Sequence, residues 1–261
     1  MAQSALRLLA ILVAVLAAST ASAADIKVMI SAGFFKVYAE LSPAFEKSTG
    51  HKLITTRGPS LGDSPEAIPT RLARGEQADV LIMDGHGTDI LDARGLTRPD
   101  SRMPLAEPFI GMVVRAGQPK PDISTVEALR KTLLAAKSIA YSDSSSGTYL
   151  STVGFKKLGI ADEIAGRTRK VRGPPSGEPV AAVVARGEAD VGFQQVAELI
   201  HVPGADFVGT VPAEIQPPTY FVGALPKGSQ NPDAAVALLR FLSSAEAAAV
   251  ITKAGLKPLA R

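Results

Sequence analysis

Short apolar runs alternate with helical patterns over the first half of the chain. Residues 25–31 (DIKVMIS), 52–56 and 78–83 (ADVLIM) are strand-like runs. Apolar residues recur at helical spacing over residues 34–47, and a second helix is predicted to begin at Pro65. Continuous apolar strands that alternate with helices are typical of a parallel sheet covered on both faces, so we predict a doubly wound α/β unit.

The same order of elements recurs in the second half, where strand-like runs at residues 139–142 and 191–193 enclose a predicted helix at residues 148–158. Residues 73–80 read ARGEQADV and residues 185–191 read ARGEADV, each where a helix is predicted to end and a strand to begin. A helix-ending motif could occur twice by chance. Because loop, helix, stop and strand all recur in one order, we predict two similar lobes.

Two extended apolar segments, residues 108–115 and 218–225, are flanked by turn residues and are predicted to carry the chain between the lobes. The first lobe is then expected to comprise residues 24–107 with 223–261, and the second lobe residues 108–222. The predicted fold class is α/β, with two doubly wound lobes joined by two crossing strands.

The N-terminus has the pattern of a secretory signal peptide. Arg7 precedes an apolar run over residues 8–18, and residues 21–23 read ASA, the small residues that a signal peptidase recognises. The run is too short for a membrane span, and a buried N-terminal helix is the alternative. We predict cleavage after Ala23, a periplasmic location and no membrane insertion after cleavage.

The amino-acid composition argues against several classes of function. The chain has no cysteine and three histidines without metal-ligand spacing, so neither a metal site nor a cofactor is predicted. The formal net charge is +3, no run of Lys and Arg exceeds two residues, and tryptophan is absent. These features argue against a nucleic-acid partner.

Ligands of open α/β sheets bind at the carboxyl ends of the strands, where helix N-termini attract anions. Four strand-to-helix junctions fit this rule, at residues 31–34, 57–64, 144–148 and 175–178. Gly and Ser at such places also cap helices without binding a ligand, but four junctions at one edge favour a site for a small organic anion. The predicted binding residues are Ser31, Gly33, Phe34, Arg57, Ser60, Ser64, Ser144, Ser145, Ser146, Gly147, Thr148 and Ser176.

These stretches resemble the type II periplasmic binding proteins, and within them the molybdate-binding branch. The resemblance covers nearly the whole chain after residue 23 and rests on the opening at residues 31–33, the serine loop at residues 144–147 and the two ARGE stretches. It implies two lobes around a ligand cleft, with Tyr220 near that cleft. It also implies a possible partner, the permease of an ABC transporter.

The sequence departs from the molybdate-binding pattern in one loop, where Arg57 precedes Gly58 and Pro59. Hydroxyls and backbone amides suffice for a tetrahedral oxyanion, whereas a planar guanidinium matches a carboxylate with two parallel hydrogen bonds. We therefore expect a carboxylate ligand rather than molybdate.

The export signal, size and cleft chemistry are also similar to those of the periplasmic aconitate isomerases. This resemblance implies that cis- and trans-aconitate are interconverted by an allylic proton transfer, with Arg57 stabilising the developing charge. His86, at the carboxyl end of a predicted strand, is the predicted base. Glu178, Asp143 and Tyr149 are rival bases. The alternative function is an ABC-transporter solute receptor for a small carboxylate or oxyanion, which would release its ligand unchanged.

Overall fold

The computed structural model describes residues 23–62, 64–216 and 219–259. The predicted signal peptide therefore lies outside the described residues, except for its last residue. The strands of the described part are β1 (Asp25–Ile30), β2 (Lys52–Arg57), β3 (Val80–Asp84), β4 (Met103–Glu107), β5 (Ile110–Arg115), β6 (Ile139–Ser142), β7 (Thr168–Val171), β8 (Val191–Gln195), β9 (Ala205–Thr210), β10 (Phe221–Ala224) and β11 (Lys257–Pro258).

The α-helices of the same part are α1 (Ala32–Thr49), α2 (Ile68–Ala73), α3 (Gly85–Ala93), α4 (Val126–Ala135), α5 (Ser145–Tyr149), α6 (Phe155–Lys157), α7 (Ala161–Ile164), α8 (Val180–Ala185), α9 (Val196–Leu199), α10 (Pro232–Leu242) and α11 (Ala247–Lys253). A π-helical segment, Leu150–Gly154, joins α5 to α6, and 3₁₀ turns occur at Pro99–Ser101 and Ala165–Arg167. No single helix of the described residues is long and apolar enough to cross a membrane, although α10 and α11, bent by 64°, pass that test as a pair.

The strands form two sheets, in the order β11-β4-β10-β3-β1-β2 and the order β7-β6-β8-β5-β9. We call the parts of the chain that carry them the first and the second lobe. In each sheet three strands run parallel, and an antiparallel strand, β10 or β5, pairs with the last of them. Successive side chains of β3 point to opposite faces of the sheet. Val80 and Ile82 pack into the hydrophobic core on one face, and Leu81 and Met83 pack into a second core on the other face. Both faces of this sheet are therefore covered, as the apolar runs predict.

The repeated ARGE stretches are built alike in the two lobes. Gly75 and Gly187 have φ angles of 82° and 76°, a left-handed conformation that ends a helix at little cost only for glycine. In the first lobe Asp79 accepts a hydrogen bond from the Lys27 backbone N–H at 2.9 Å. In the second lobe Asp190 accepts one from the Lys137 N–H at 2.7 Å. Each aspartate thus anchors the start of a neighbouring strand.

The crossings between the lobes differ from the prediction. Pro108 and Phe109 link β4 of the first sheet to β5 of the second, so the crossing consists of these two residues, and the rest of the predicted segment 108–115 is strand β5 of the second sheet. The predicted crossing strand at 218–225 becomes β10, which pairs only with strands of the first sheet. The return crossing lies between β9 and β10, in the part of the chain after Thr210 and before Phe221. The proposed division of the chain, at 107/108 and 222/223, stays a prediction.

Three helices begin at other residues than predicted. The helix expected from Pro65 begins at Ile68, after an extended Ala67. The helix expected from residue 148 begins at Ser145. The helix expected after Glu178 begins at Val180, because Pro179 disfavours helical backbone at the residue before it. The loops that precede α2 and α8 are therefore longer than the sequence patterns indicate.

Helix α1 fixes the first junction of the site. Phe34, Val37, Tyr38 and Phe45 are buried on one face of α1, and their spacing is that of an amphipathic helix. Ser31 is the extended residue before α1, and its backbone N–H donates to the Ile82 carbonyl at 2.9 Å. This bond ties the start of α1 to the carboxyl end of β3.

Candidate functional site

A cavity of about 530 Å³ lies between the lobes. It is lined from both sides, and the predicted site residues among its walls are His86, Ser145, Ser146, Thr148 and Tyr220. Tyr220 is 43% exposed, so its ring is accessible from the cavity. A cavity shared by two lobes is the usual place for a small ligand.

The two lobes touch each other beside this cavity. Gly62, with a φ of 109°, passes so close to the second lobe that a methyl group on it would stand 3.2 Å from the Asp143 carbonyl oxygen. The Arg172 guanidinium donates to the Glu66 carboxylate at 2.8 Å, which joins the second lobe to the first. The loop that carries Gly62 in the first lobe therefore lies against the start of the serine loop in the second.

Five buried side-chain donors have no hydrogen-bond partner among the described residues, and four of them belong to the predicted junctions: Ser31 Oγ, Arg57 Nε, Ser64 Oγ and Ser145 Oγ. The Gly58 N–H donates to the Ile30 carbonyl at 3.0 Å, which places Ser31 and Arg57 at one sheet edge. Leaving a buried donor unpaired costs about 1–3 kcal/mol, and folded proteins rarely tolerate it. Oxygen atoms of an anion are suitable partners for such donors, and of the four Ser145 lines the 530 Å³ cavity.

Arg57 is held in place by an aromatic ring. Its guanidinium carbon lies 3.9 Å from the centroid of the Phe35 ring, a cation–π contact. Partial burial lowers the pKa of Arg57, and the nearby Glu198 charge opposes this effect. Arginine nevertheless stays charged in proteins. Arg57 lines a separate groove of about 300 Å³ with Phe35 and Tyr38, and it is not among the residues that line the 530 Å³ cavity.

Hydrogen bonds between its own serines and a close backbone approach at Gly147 determine the conformation of the serine loop. Ser142 Oγ lies 2.9 Å from Ser144 Oγ and 3.2 Å from Ser146 Oγ, so these hydroxyls bond to each other. A methyl group on Gly147 would stand 1.7 Å from the Ser142 carbonyl oxygen, and only glycine fits there. The Ser145 hydroxyl is thereby left free to turn toward a ligand. In the first lobe the Ser60 hydroxyl is occupied, since it accepts the Asp84 N–H at 2.8 Å.

Two predicted binding residues have other roles. The Phe34 side chain is fully buried and packs against Phe221, with ring centroids 5.8 Å apart, so the prediction that this side chain faces the ligand is wrong. The neighbouring Gly33 allows the start of α1 to approach the Gln195 side chain closely, because a methyl group on Gly33 would stand 1.8 Å from Gln195 Oε1. Ser176 is exposed and bonds to Glu66, so it belongs to the contact between the lobes.

The candidate bases His86, Tyr149 and Asp143 differ in the groups that they contact. His86 lies at the cavity, and its backbone N–H donates to the Asp84 carboxylate at 3.0 Å. The Tyr149 hydroxyl donates to the Ile215 carbonyl at 2.6 Å, and the Asp143 carboxylate accepts the Gly173 N–H at 3.0 Å. In the described structure, each of these two rivals is thus engaged by the backbone.

The prediction that Glu178 is a rival base is wrong. Two hydrogen bonds from Arg186, at 2.6 and 2.7 Å, hold its carboxylate on the surface of the second lobe. They also keep the pKa of Glu178 below its usual value. A carboxylate with a lowered pKa is a poor proton acceptor at neutral pH.

The sequence patterns missed the residues that follow β8. Gln195 lines the cavity, and Gln194 donates to the Glu198 carboxylate at 2.6 Å. Burial raises the pKa of Glu198 to about 7, with Asp143 adding to the rise and Gln194 and Arg57 opposing it. Two signals were available in the sequence. Paired amides close an apolar strand at its carboxyl end, and one carboxylate interrupts the apolar residues of α9.

The fold and the cleft define a two-lobed solute-binding protein. A family model for bacterial extracellular solute-binding proteins matches residues 26–257, and the chain belongs to that family. Within it, the chain is 48% identical over 232 residues to the aconitate isomerase of a Pseudomonas species, which covers 89% of this chain and 87% of that protein. It is 29% identical to the molybdate-binding protein ModA of Azotobacter vinelandii over 255 residues, 95% of this chain and 96% of that protein.

Solved structures share the architecture. The periplasmic molybdate-binding protein of Azotobacter vinelandii aligns with a TM-score of 0.69 at 22% identity, over 90% of this chain and 100% of that one. The sulfate-binding protein SubI of Mycobacterium tuberculosis aligns with a TM-score of 0.68 at 18% identity, over 90% of this chain and 87% of that one. The prediction of a type II periplasmic binding protein fold is confirmed.

Proposed function

We propose that this protein is a periplasmic aconitate isomerase, exported by the signal peptide at residues 1–23. The observation that carries the proposal is the 48% identity to an aconitate isomerase over 89% of the chain. At that level of similarity the two chains share far more than the fold. The ligand we propose is therefore a tricarboxylate, bound in the cleft between the lobes.

The proposed reaction is a redox-neutral shift of one proton. A base removes a proton from the methylene carbon of cis-aconitate, and the electrons of that C–H bond spread over the double bond and its carboxylate. A proton then returns at the carbon that was the far end of the double bond, so the new double bond joins the central carbon to the former methylene carbon. The trans product forms when the carboxylate of the methylene group is already in the trans orientation about that bond as the proton leaves. No atom is gained or lost, so we propose no cofactor. Donors that face the spread charge would lower the barrier.

The described donors suit such a substrate. Ser31, Arg57 and Ser64 belong to the first lobe and Ser145 to the second, and all four offer buried donors without protein partners. A ligand with several carboxylates could contact both lobes at once, and the planar fork of Arg57 is suited to one of them. The cavity lined by Tyr220 and Gln195 would receive the rest of the molecule.

A second candidate function is that of a solute receptor for an ABC importer, with a permease as partner. The observation in its favour is the 29% identity to ModA over 96% of that protein's length. Both functions use the same cleft, and they differ in whether the ligand leaves unchanged. A receptor would bind a small carboxylate or oxyanion, molybdate included.

Incubation of the purified protein with cis-aconitate, followed by chromatography, separates the two functions. The isomerase proposal expects trans-aconitate to accumulate until the two isomers reach equilibrium. Titration calorimetry with cis-aconitate and with molybdate is run on the same sample. Tight binding of either anion without conversion would support the receptor and contradict the isomerase.

A further inference from the structure

Two glutamines end β8, and their side chains have different surroundings. Because successive side chains of a strand point to opposite faces of the sheet, Gln194 and Gln195 lie on opposite sides of the second sheet. Both ends of the Gln194 amide are bonded: Oε1 accepts the Val180 N–H at 2.9 Å, and Nε2 donates to Glu198 at 2.6 Å. Contacts within the second lobe therefore account for the Gln194 amide.

The Gln195 amide has no such partners. Gln195 is only 6% exposed, yet its side chain forms no hydrogen bond with any residue that the structure describes. It lines the 530 Å³ cavity between the lobes. A buried amide without partners costs free energy, and folded proteins rarely keep one unless a group from outside the chain completes its bonds. The Gln195 amide therefore calls for a partner inside the cavity.

The close contact with Gly33 indicates which end of the Gln195 amide is available to the cavity. A methyl group on Gly33 would stand 1.8 Å from Gln195 Oε1 and 3.0 Å from the amide carbon, so the oxygen is the end that lies against the start of α1. The first N–H groups of a helix lack intrahelical acceptors, and an amide oxygen is the end that suits them. The donor end, Nε2, is thus left for the cavity.

Gln195 and Ser145 lie at the ends of neighbouring strands of the second lobe. Strands β6 and β8 are parallel, with Tyr141 opposite Phe193. Gln195 ends β8, and Ser145 begins α5 shortly after β6 ends, so both lie at the carboxyl edge of this sheet. Both line the cavity, and the Ser145 hydroxyl also lacks a partner among the described residues. Two neutral donors on one lobe match an ionised carboxylate, which only accepts hydrogen bonds.

We propose that Gln195 is a substrate-binding residue, which donates a hydrogen bond from Nε2 to one carboxylate of aconitate. This inference rests on the proposed isomerase function and deepens it, because it assigns one contact with the tricarboxylate to a particular side chain. A ligand that lacks the contacted carboxylate would leave the Gln195 donor unpaired in a buried position. Gln195 therefore contributes to the selection of a tricarboxylate over related dicarboxylates.

The test measures Kd by titration calorimetry for the wild-type protein and for Gln195→Met, which keeps the length of the side chain but removes the donor. The ligands are cis-aconitate and three dicarboxylates, itaconate, citraconate and trans-glutaconate, each of which lacks a different one of its carboxylates. We expect the substitution to weaken aconitate binding roughly 10-fold. It should weaken two of the dicarboxylates by a similar factor and leave the third, which lacks the contacted carboxylate, unchanged. Gln118→Met, at an exposed glutamine of the second lobe, is the matched control and should bind every ligand as the wild-type protein does.

The outcomes separate this inference from the function on which it rests. Equal losses of affinity for all the ligands, or no loss for any of them, would overturn the role of Gln195 alone, provided that the wild-type protein converts aconitate. A wild-type protein that binds aconitate without converting it would overturn the isomerase function, and the comparison of ligands would still decide the contact. A wild-type protein that does not bind aconitate would overturn both.

If Gln195→Met does not fold, Gln195→Glu decides. Glutamate keeps the size of the side chain and an oxygen toward the start of α1, where negative charge is stabilising. It cannot donate when ionised, and it repels an anionic ligand. We expect its Kd for aconitate to rise at least about 100-fold, and an unchanged Kd would overturn the role of Gln195.

Discussion

The guanidinium carbon of Arg57 lies 3.9 Å from the centroid of the Phe35 ring. Arg57 ends β2, and Phe35 lies in the first turn of α1, so two of the predicted anion-binding junctions are joined by this contact. The contact restrains the guanidinium and leaves its Nε donor without a partner among the described residues. The contact thus prepares Arg57 for a planar anion before the ligand arrives.

Replacement of Arg57 should weaken aconitate binding strongly. A hydrogen bond to a charged group is worth about 1.5–3 kcal/mol, so Arg57→Ala should raise the Kd roughly 10- to 100-fold by titration calorimetry. Arg57→Lys keeps the charge but loses the fork and should recover only part of the affinity. Arg74→Ala, at an exposed arginine paired with Glu76, is the control. An unchanged Kd for Arg57→Ala would remove Arg57 from the site.

Ser145→Ala should have opposite effects on binding and on stability. Loss of one hydroxyl donor should raise the Kd for aconitate by roughly 3- to 10-fold. Because Ser145 Oγ has no partner among the described residues, its removal should leave the thermal unfolding temperature of the free protein unchanged or slightly higher. Ser151→Ala, which removes a hydroxyl bonded to the Gly147 carbonyl, should leave the affinity unchanged. A loss of stability at Ser145 without a loss of affinity would contradict the assigned role.

Much of the fold follows from the sequence because its signals are local and strong. The run at residues 80–83 is apolar throughout since β3 is buried on both faces, and Gly75 and Gly187 occupy left-handed positions that other residues rarely adopt. The starts of α2 and α8 were misplaced because turn residues can precede a helix at several registers. Which sheet β10 joins depends on tertiary pairing, and no local pattern encodes it.

The site was less predictable than the fold. The rule that anions meet the carboxyl ends of strands found Ser31, Arg57 and Ser145, whose donors are unpartnered. It missed Gln195 because two glutamines end β8, and which of them lines the cavity depends on how the lobes pack together. Phe34 was misassigned because an aromatic side chain at a junction can face either the cleft or the core, and the sequence does not distinguish them.

The serine loop should not tolerate a side chain at Gly147. An alanine Cβ there would stand 1.7 Å from the Ser142 carbonyl oxygen, a backbone atom that cannot move without distorting β6. We expect Gly147→Ala to lower the free energy of unfolding by about 1–3 kcal/mol in a denaturant titration. Gly166→Ala, where nothing lies within 4 Å of the added methyl group, should be nearly neutral. Equal effects of the two substitutions would contradict the described loop geometry.

The ion pair between Glu66 and Arg172 should favour the closed arrangement of the lobes. Glu66→Gln removes it, and we expect a few-fold weaker aconitate affinity at low ionic strength, because the pair is on the surface and is partly screened. In 1 M salt the difference from wild type should vanish. Glu188→Gln breaks two ion pairs within the second lobe, those with Arg169 and Arg186, and should not affect affinity at either salt concentration. A loss of affinity that is the same at low and high salt would contradict an electrostatic contribution of the ion pair between Glu66 and Arg172.

Glu198 should make the protein less stable as the pH rises. Its pKa is raised from 4.5 to about 7 in the folded state, so between these values the folded protein binds more protons than the unfolded chain. Its contribution to stability is therefore present below about pH 4.5 and is lost as the pH rises through 7. Subtracting the Glu198→Gln curve from the wild-type curve cancels the other titrating groups. The difference should reach on the order of 3 kcal/mol, and a flat difference would contradict the raised pKa.

A crystal structure with bound trans-aconitate tests the account most directly, since it asks whether the two lobes hold one anion between them. We predict ligand carboxylate oxygens within about 2.7–3.2 Å of Arg57 Nε on one lobe and of Ser145 Oγ on the other. A ligand bound elsewhere, with both of these donors still unpartnered, would contradict it.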